Sequence, residues 1–380
     1  MYAHRFFGIL LLILLTLSLC SCASVPKYEI VDLLGQKEGA VYSINNHGDV
    51  VGISSNKLFL YDSMTKNYIW GPDVSLDNPL VKISNQRDVL AGVTKDEQNN
   101  YSLCLWNPDQ GISLIPFGKK NIQAKTFNND NYALLWLWTG EWTWTGNYWA
   151  GNYVSTIWDI KDKKSIYSDP NNLLYVLNDS GDAVGCSREP EIFKNIFIVN
   201  INSDSVVRIP NMSGKRIIPR DINDKGQITG WIENENPEIQ DESAFLWDKD
   251  KGLIRLGSIM DTHTILNGSL TKGYSVNNHE QIVGWSSGGT VSGPLVWPIQ
   301  FRDAGRAFYW DKKSGMKDLN DMMTNKTDWY CLVEALDIND KGQIIGWGFK
   351  KGSDRKRPFL LNPIKDKTKV SSLLIDKSRN

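Results

Sequence analysis

The chain is 380 residues long, 41% hydrophobic and 22% charged, with a formal net charge of −1. That balance provides apolar material for a large folded core and excludes disorder for most of the chain. It also excludes the strong positive field expected of a nucleic-acid binder, so no nucleic acid is expected among the partners.

At the N-terminus, Arg5 precedes the apolar run Phe6 to Leu19, which has the length of a secretory h-region and is too short to span a bilayer comfortably. Export is the expectation. The tetrad Leu19-Cys20-Ser21-Cys22 resembles the bacterial lipoprotein box, with a leucine three places before Cys22 and a small residue just before it. Cys20 fits less well, because Leu19 would then hold the small-residue place. The resemblance implies that residues 1–21 are a removed signal peptide, that Cys22 is lipidated, and that residues 22–27 are a short anchored linker. Ala23 and Ser24 imply sorting to the outer membrane of the cell envelope. More than one acyl chain on Cys22 makes the membrane a stable partner. A plain cleaved signal peptide is the alternative.

Cys104, Cys186 and Cys331 remain, an odd number without CxxC or CxH spacing, so neither a disulfide framework nor a zinc site is expected. Each reads as a small buried hydrophobe. No cofactor and no metal are expected.

One unit then recurs seven times: SINNHGDVVG, SNQRDVLAG, FNNDNYALL, LNDSGDAVG, INDKGQITG, VNNHEQIVG and INDKGQIIG. An asparagine opens each turn, at Asn45, Asn85, Asn128, Asn178, Asn223, Asn277 and Asn339. A glycine stands seven residues later in every copy but the third, which has Leu135. Extended runs flank each turn, so each copy predicts a hairpin in which the Asn side chain bonds the backbone two residues on and an Asn-x-x-Gly glycine takes positive φ. A third run (LFLYD, LCLWN, STIWD, IFIVN, AFLWD, AFYWD, PFLLN) and a fourth (such as NYIWG or GLIRLG) complete a four-stranded antiparallel meander.

The seventh unit lacks its fourth run, while YEIVDLLG at residues 28–35 looks like a fourth strand without a unit. Pairing the two ends closes a ring, and seven four-stranded sheets around an axis make an all-β, seven-bladed β-propeller over residues 28–363, followed by a polar tail, 364–380. A linear solenoid is the alternative topology, and six or eight blades remain open if the drifted third unit is misread.

The turns together with Ala244-Phe245-Leu246-Trp247 and Ala307-Phe308 are similar to the HAF-type bacterial extracellular repeat family, with Ser243 and Arg306 where that family has its histidine. The resemblance implies a secreted repeat protein and no settled activity.

Sequential strands place the turns between strands one and two on one face, and the loops between strands two and three on the other. The turns keep one length, whereas the loops range from residues 54–57 to residues 286–306. Binding is expected on the variable face. There the third unit carries LWLWTGEWTWTGNYWAGNY, whose Trp136, Trp138, Trp142, Trp144, Tyr148 and Trp149 read as a long hairpin offering an aromatic stripe to a carbohydrate or an envelope protein. The competing reading packs those indoles on one another and on the next blade. The tryptophans of the third runs (Trp106, Trp158, Trp247, Trp310) recur once per unit and are expected between blades.

Two variable loops carry opposite charge, ENENPEIQDES (233–243) and FKKGSDRKR (349–357), and read as solvated. Hydrolase, kinase and dinucleotide motifs are missing. DINDKG is no calcium loop, because Lys225 and Lys341 fill a ligand position and Ile232 and Gly348 stand where a bidentate Glu is needed. For catalysis only His263 on the variable face, with Asp261 beside it, offers a base, the alternative function being a polysaccharide hydrolase or lyase at the channel mouth.

Overall fold

A computed structural model describes residues 25–35, 37–74, 80–144, 149–187, 196–203, 205–210, 215–236, 242–259, 270–287, 305–325 and 328–364. Seven four-stranded antiparallel sheets follow one another along the chain, over residues 40–73, 82–118, 122–169, 172–208, 215–255, 271–318 and 329–363. They are blades 1 to 7 below. The first six keep strict sequence order, each strand paired with the next. The seventh takes its outer strand from the far end of the chain, with Tyr28–Asp32 lying antiparallel to Lys356–Pro363, Tyr28 opposite Pro363 and Asp32 opposite Phe359. The ring is closed, and the protein is a seven-bladed β-propeller.

The closing strand is held on its other edge as well. Asn325 Oδ1 accepts the Ile30 N–H at 2.9 Å and the Thr324 N–H donates to the Tyr28 carbonyl at 2.9 Å, just after the one short helix among the described residues, Leu319–Met322. An edge that would otherwise expose unpaired backbone is thereby covered.

Each first turn is built as its residues dictate. In blade 1, Asn45 Oδ1 accepts the N–H groups of His47, Gly48 and Asp49 at 2.9–3.0 Å. Gly48, Gly181, Gly226 and Gly342 hold the left-handed position three residues after the Asn. Arg87, Asn131 and Glu280 hold that same position in blades 2, 3 and 6 at φ of 61–69°.

Blade 2 corrects the alignment of its unit. Ser84, not Asn85, stands where the other blades have the turn asparagine: its N–H bonds the Asp88 carbonyl as that of Asn45 bonds Asp49. A bulge between Leu90 and Gly92 absorbs the one-residue offset and returns Gly92 to its place opposite the third strand.

The inner strands of every blade but the second carry a bulge at one equivalent position, leaving Tyr42, Lys125, Tyr175, Arg220, Tyr274 and Leu336 outside the pairing register. This explains the glycine seven residues after the Asn. A Cβ at Gly52, Gly230 or Gly346 would collide with the carbonyl oxygen of Ala40, Ile218 or Glu334 on the bulged strand.

Apolar side chains from each pair of neighbouring blades form one cluster, so the core is distributed around the ring in seven parts. Trp106, Trp247 and Trp310 are buried in these clusters, and Trp158 packs against Phe117 with centroids 4.8 Å apart. Each fully buried Phe or Leu contributes about 1.5–3 kcal/mol.

Candidate functional site: the channel neck and the base of the blade 3 hairpin

Two rings of hydrogen bonds encircle the axis at the turn face. In the first, a turn asparagine donates its side-chain amide to the main-chain carbonyl of its counterpart in the next blade: Asn128 to Asn178, Asn178 to Asn223, Asn223 to Asn277, Asn277 to Asn339, Asn339 to Asn45, and Asn45 to Ser84, at 2.8–3.2 Å. The link from blade 2 to blade 3 is missing because the Ser84 side chain is too short to make it.

The second ring is complete. The N–H groups of Asn46, Asn85, Asn129, Asp179, Asp224, Asn278 and Asp340 each donate to the side-chain oxygen of the next residue in that series, at 2.6–3.0 Å, and Asp340 returns to Asn46. Both aspartates of each DINDKG motif now have an assignment. The second, Asp224 or Asp340, belongs to this ring.

The first aspartate lies one layer deeper. Ser275 Oγ is 2.8 Å from Asp221 Oδ2 and 2.9 Å from Asp337 Oδ1, and Ser43 Oγ donates to Asp337 Oδ2 at 3.0 Å. Lys82 Nζ stands 3.7 Å from Asp337 Oδ2. A hydroxyl has one proton and cannot donate to both carboxylates at once. Burial pushes the Asp221 carboxyl above the usual range; Lys82 opposes the rise, Asp337 adds to it, and the Val276 N–H and Ser275 hydroxyl oppose it. Asp337 accepts from Ser43, Ser275 and the Ile44 and Ile338 N–H groups.

The cavity bounded by these layers measures about 160 Å³. Ligand pockets run from about 300 Å³ upward, so this neck has room for water or an ion and not for a sugar. Among the described residues no group of three or more His, Cys, Asp or Glu side chains is arranged to hold a metal.

On the opposite face the second and third strands of blade 3, Tyr132–Trp144 and Trp149–Asp159, outgrow their neighbours. They stay paired beyond the blade, with Trp142 opposite Gly151 and Trp144 opposite Trp149. Tyr148 and the hairpin tip lie outside the described residues, as do Cys22, Asp261 and His263.

The lower part of the stripe is described in full, and there Trp136 departs from the expected free surface. Its indole N–H donates to the Leu174 carbonyl at 2.6 Å, its ring meets Tyr175 of blade 4 edge-on at 5.2 Å, and Tyr153 lies 5.7 Å away. Lys125 Nζ sits 3.6 Å from the Trp136 centroid. Trp136 is therefore a blade 3 to blade 4 packing residue. Trp138, half-buried and directly opposite Tyr153, is the first tryptophan toward the hairpin, its indole N–H on the Glu141 carbonyl at 3.4 Å.

The bulge places Lys125 here, and the pairing sets Gln123 directly opposite Trp136. Lys125 Nζ donates to Gln123 Oε1 at 3.0 Å and Gln123 Nε2 donates to the Tyr153 hydroxyl at 3.0 Å. Burial pushes the Lys125 ammonium down to about 8.

The two charged loops are partly paired. Lys350 bonds Asp32 at 2.7 Å, Arg355 bonds Glu38 and Arg357 bonds the Gly35 carbonyl, so the basic loop fastens the segment after the closing strand. In the acidic loop Glu233 meets Arg216 and Glu242 meets Lys272. His47 and His279 are exposed turn residues, and the thiols of Cys104, Cys186 and Cys331 are buried.

The sequence analysis missed Asp221, Asp337, Lys82 and Lys125. A signal for the first three exists: two places before each turn residue the units read Ser43, Lys82 (before Ser84), Thr126, Val176, Asp221, Ser275 and Asp337, a position that is charged in three units and small or β-branched in the rest. Lys125 had none, because its placement follows from a bulge.

No curated protein matches this sequence. Among solved structures the chain is similar to the β-propeller domain of the Trilobed protease from Pyrococcus furiosus, at 11% identity over 90% of this chain and 98% of that one, with a TM-score of 0.53. That domain has an open velcro topology, whereas the present ring is closed. The chain is also similar to an acylaminoacyl peptidase from Pyrococcus horikoshii (11% identity, 92% of this chain and 55% of that one, TM-score 0.54). A third likeness is to an oligogalacturonate lyase from Vibrio parahaemolyticus (10% identity, 88% and 97%, TM-score 0.52). At such identities the likeness is one of fold and carries no activity. Residues 125–371, from the inner strand of blade 3 past the last blade, match the model of the family DUF3466, described as a protein of unknown function, and the chain belongs to that family.

Proposed function

We propose that this protein is an exported, lipid-anchored β-propeller that binds a carbohydrate on its variable-loop face, at the blade 3 hairpin. One observation carries the reading: strands of 13 and 11 residues extend a tryptophan-bearing hairpin past a blade whose neighbours end sooner. A rigid ring with one outgrown aromatic ribbon suits stacking on sugar rings. The small polar neck on the opposite face is occupied by inter-blade bonding, which favours binding at the hairpin over chemistry in the channel. An envelope protein docking on the same ribbon is the second occupant, and the anchor on Cys22 belongs to the same proposal.

A glycan array probed with the full chain tests the reading, repeated with Trp142→Ala and Trp144→Ala. The expected result is a set of bound glycans whose signal falls about tenfold or more in the variants, as loss of one stacking contact implies. Unchanged signals in the variants, or no bound glycan, would remove carbohydrate as the ligand. Fatty-acid labelling that survives Cys22→Ser would remove the anchor.

A further inference from the structure

Among the described residues the hairpin's base holds two groups, Lys125 and Tyr153, with hydrogen-bond donors to spare. Lys125 has three N–H donors, of which Gln123 Oε1 takes one at 3.0 Å while the ammonium rests on the Trp136 face at 3.6 Å. Among the described residues no carboxylate forms an ion pair with it, whereas Lys82 and Lys350, also part-buried, each face one.

The orientation of Gln123 is not free to vary. A lysine ammonium only donates, so it holds the carboxamide oxygen toward itself and turns the carboxamide N–H groups toward Tyr153. The Tyr153 oxygen accepts one of them at 3.0 Å, which leaves the phenolic O–H to be donated elsewhere, and no acceptor for it is present among the described residues. One side chain thus aligns an ammonium and a hydroxyl as neighbouring free donors. Trp138, directly across the strand pair from Tyr153 and on the same face, supplies an aromatic wall beside them.

We propose that Lys125 and Tyr153 form a subsite for the carboxylate of a sugar ring, so that the ligand of this face is an acidic polysaccharide built from uronic acids. The proposal rests on the carbohydrate reading above and narrows it. An anion accepts both donors at once, in charge-assisted bonds, and the ring that carries it meets the indole wall. A neutral sugar offers the ammonium hydroxyl acceptors but no opposite charge.

The test is calorimetric titration of the full chain with oligouronides of defined length and with the same oligomers after reduction of their carboxyl groups to neutral sugars. The acidic form is expected to bind about tenfold or more tightly, the value of one charge-assisted hydrogen bond. Lys125→Gln and Tyr153→Phe should each remove most of that preference while leaving affinity for the neutral oligomer in place, and Lys125→Arg should restore part of it. Equal affinity for acidic and neutral forms, or a preference that survives Lys125→Gln, overturns the subsite and leaves the carbohydrate reading standing. If neither oligomer binds and no glycan on the array does, that reading falls and the subsite falls with it. Should Lys125→Gln fail to fold, as its melting curve would report, Tyr153→Phe decides the matter alone, since it deletes only the hydroxyl.

Discussion

Asn339 donates its side-chain amide to the main-chain carbonyl of Asn45, 294 residues away, at 2.8 Å. The bond joins the last blade to the first at the axis, well inside the edge where Tyr28–Asp32 joins them at the rim. The ring is therefore fastened twice.

Asn339→Ala should lower stability by about 1–3 kcal/mol in urea unfolding, because it strands the Asn45 carbonyl and the turn N–H groups of Lys341 and Gln343. The converse change is available in blade 2. Ser84→Asn supplies the amide missing from the first ring and should raise stability by about 0.5–1 kcal/mol, the net worth of one hydrogen bond. A loss of stability in Ser84→Asn would show that the gap at blade 2 is imposed by backbone spacing.

Proline at residue 31 should open the rim. The Ile30 N–H points outward to Asn325, so by alternation the Val31 N–H points into the ladder with residues 356–363. Val31→Pro is expected to cost about 2–3 kcal/mol and to expose blade 7 to proteolysis first. Uniform cleavage around the ring would argue against that order.

The pH dependence of stability should carry the mark of Asp221. Its folded carboxyl is raised by burial, so the folded state holds its proton to higher pH than the unfolded chain, whose carboxyls release at about 3.9. The sign follows: this contribution is fully present below the ordinary carboxyl range and is lost as pH rises through the raised value. Asp221→Asn, which removes the buried carboxyl and keeps its shape, should be at least as stable as the parent at neutral pH and lack this component. Asp337→Asn should be destabilising at neutral pH, since it removes the charge that Lys82 faces.

Lys125 should cost the fold stability. Its ammonium releases its proton at about 8 when folded. In the unfolded chain it does so near 10.4. Folding is then disfavoured at low pH and recovers as pH rises from the lower value to the higher. Lys125→Met should raise the melting temperature by a few degrees, roughly what 1 kcal/mol yields in a chain of this size. A fall in melting temperature would assign the side chain to packing.

Trp136→Ala should destabilise by about 2 kcal/mol or more through lost packing on Tyr175 and the freed Leu174 carbonyl, while sparing glycan recognition by Trp142 and Trp144. Melting and array data on the one variant separate these two effects.

Blade number and closure were legible because both are carried by spacing: the turn recurs at every unit, and the stray strand at residues 28–35 has one vacancy to fill. Placement of single side chains was not. Asn85 seemed to open its turn because counting back from Gly92 ignores the extra residue at Ala91, and a bulge leaves no signature in composition. The same blindness hid Lys125. Trp136 and Trp138 share one strand face and two places of sequence, yet Trp136 rests on blade 4 and Trp138 leads toward the hairpin, a distinction made by the neighbouring blade's Leu174 and Tyr175.

Lys27 and Ile364 leave the ring side by side, the Ile364 N–H on the Lys27 carbonyl at 2.8 Å, at the end of blade 7 that bears the Asn339 turn. An anchor just ahead of Lys27, as proposed above, would set the ring's compass bearing: the asparagine-ringed side toward the support and the indole-bearing ribbon at the far pole, like the working end of a tool whose handle is fixed.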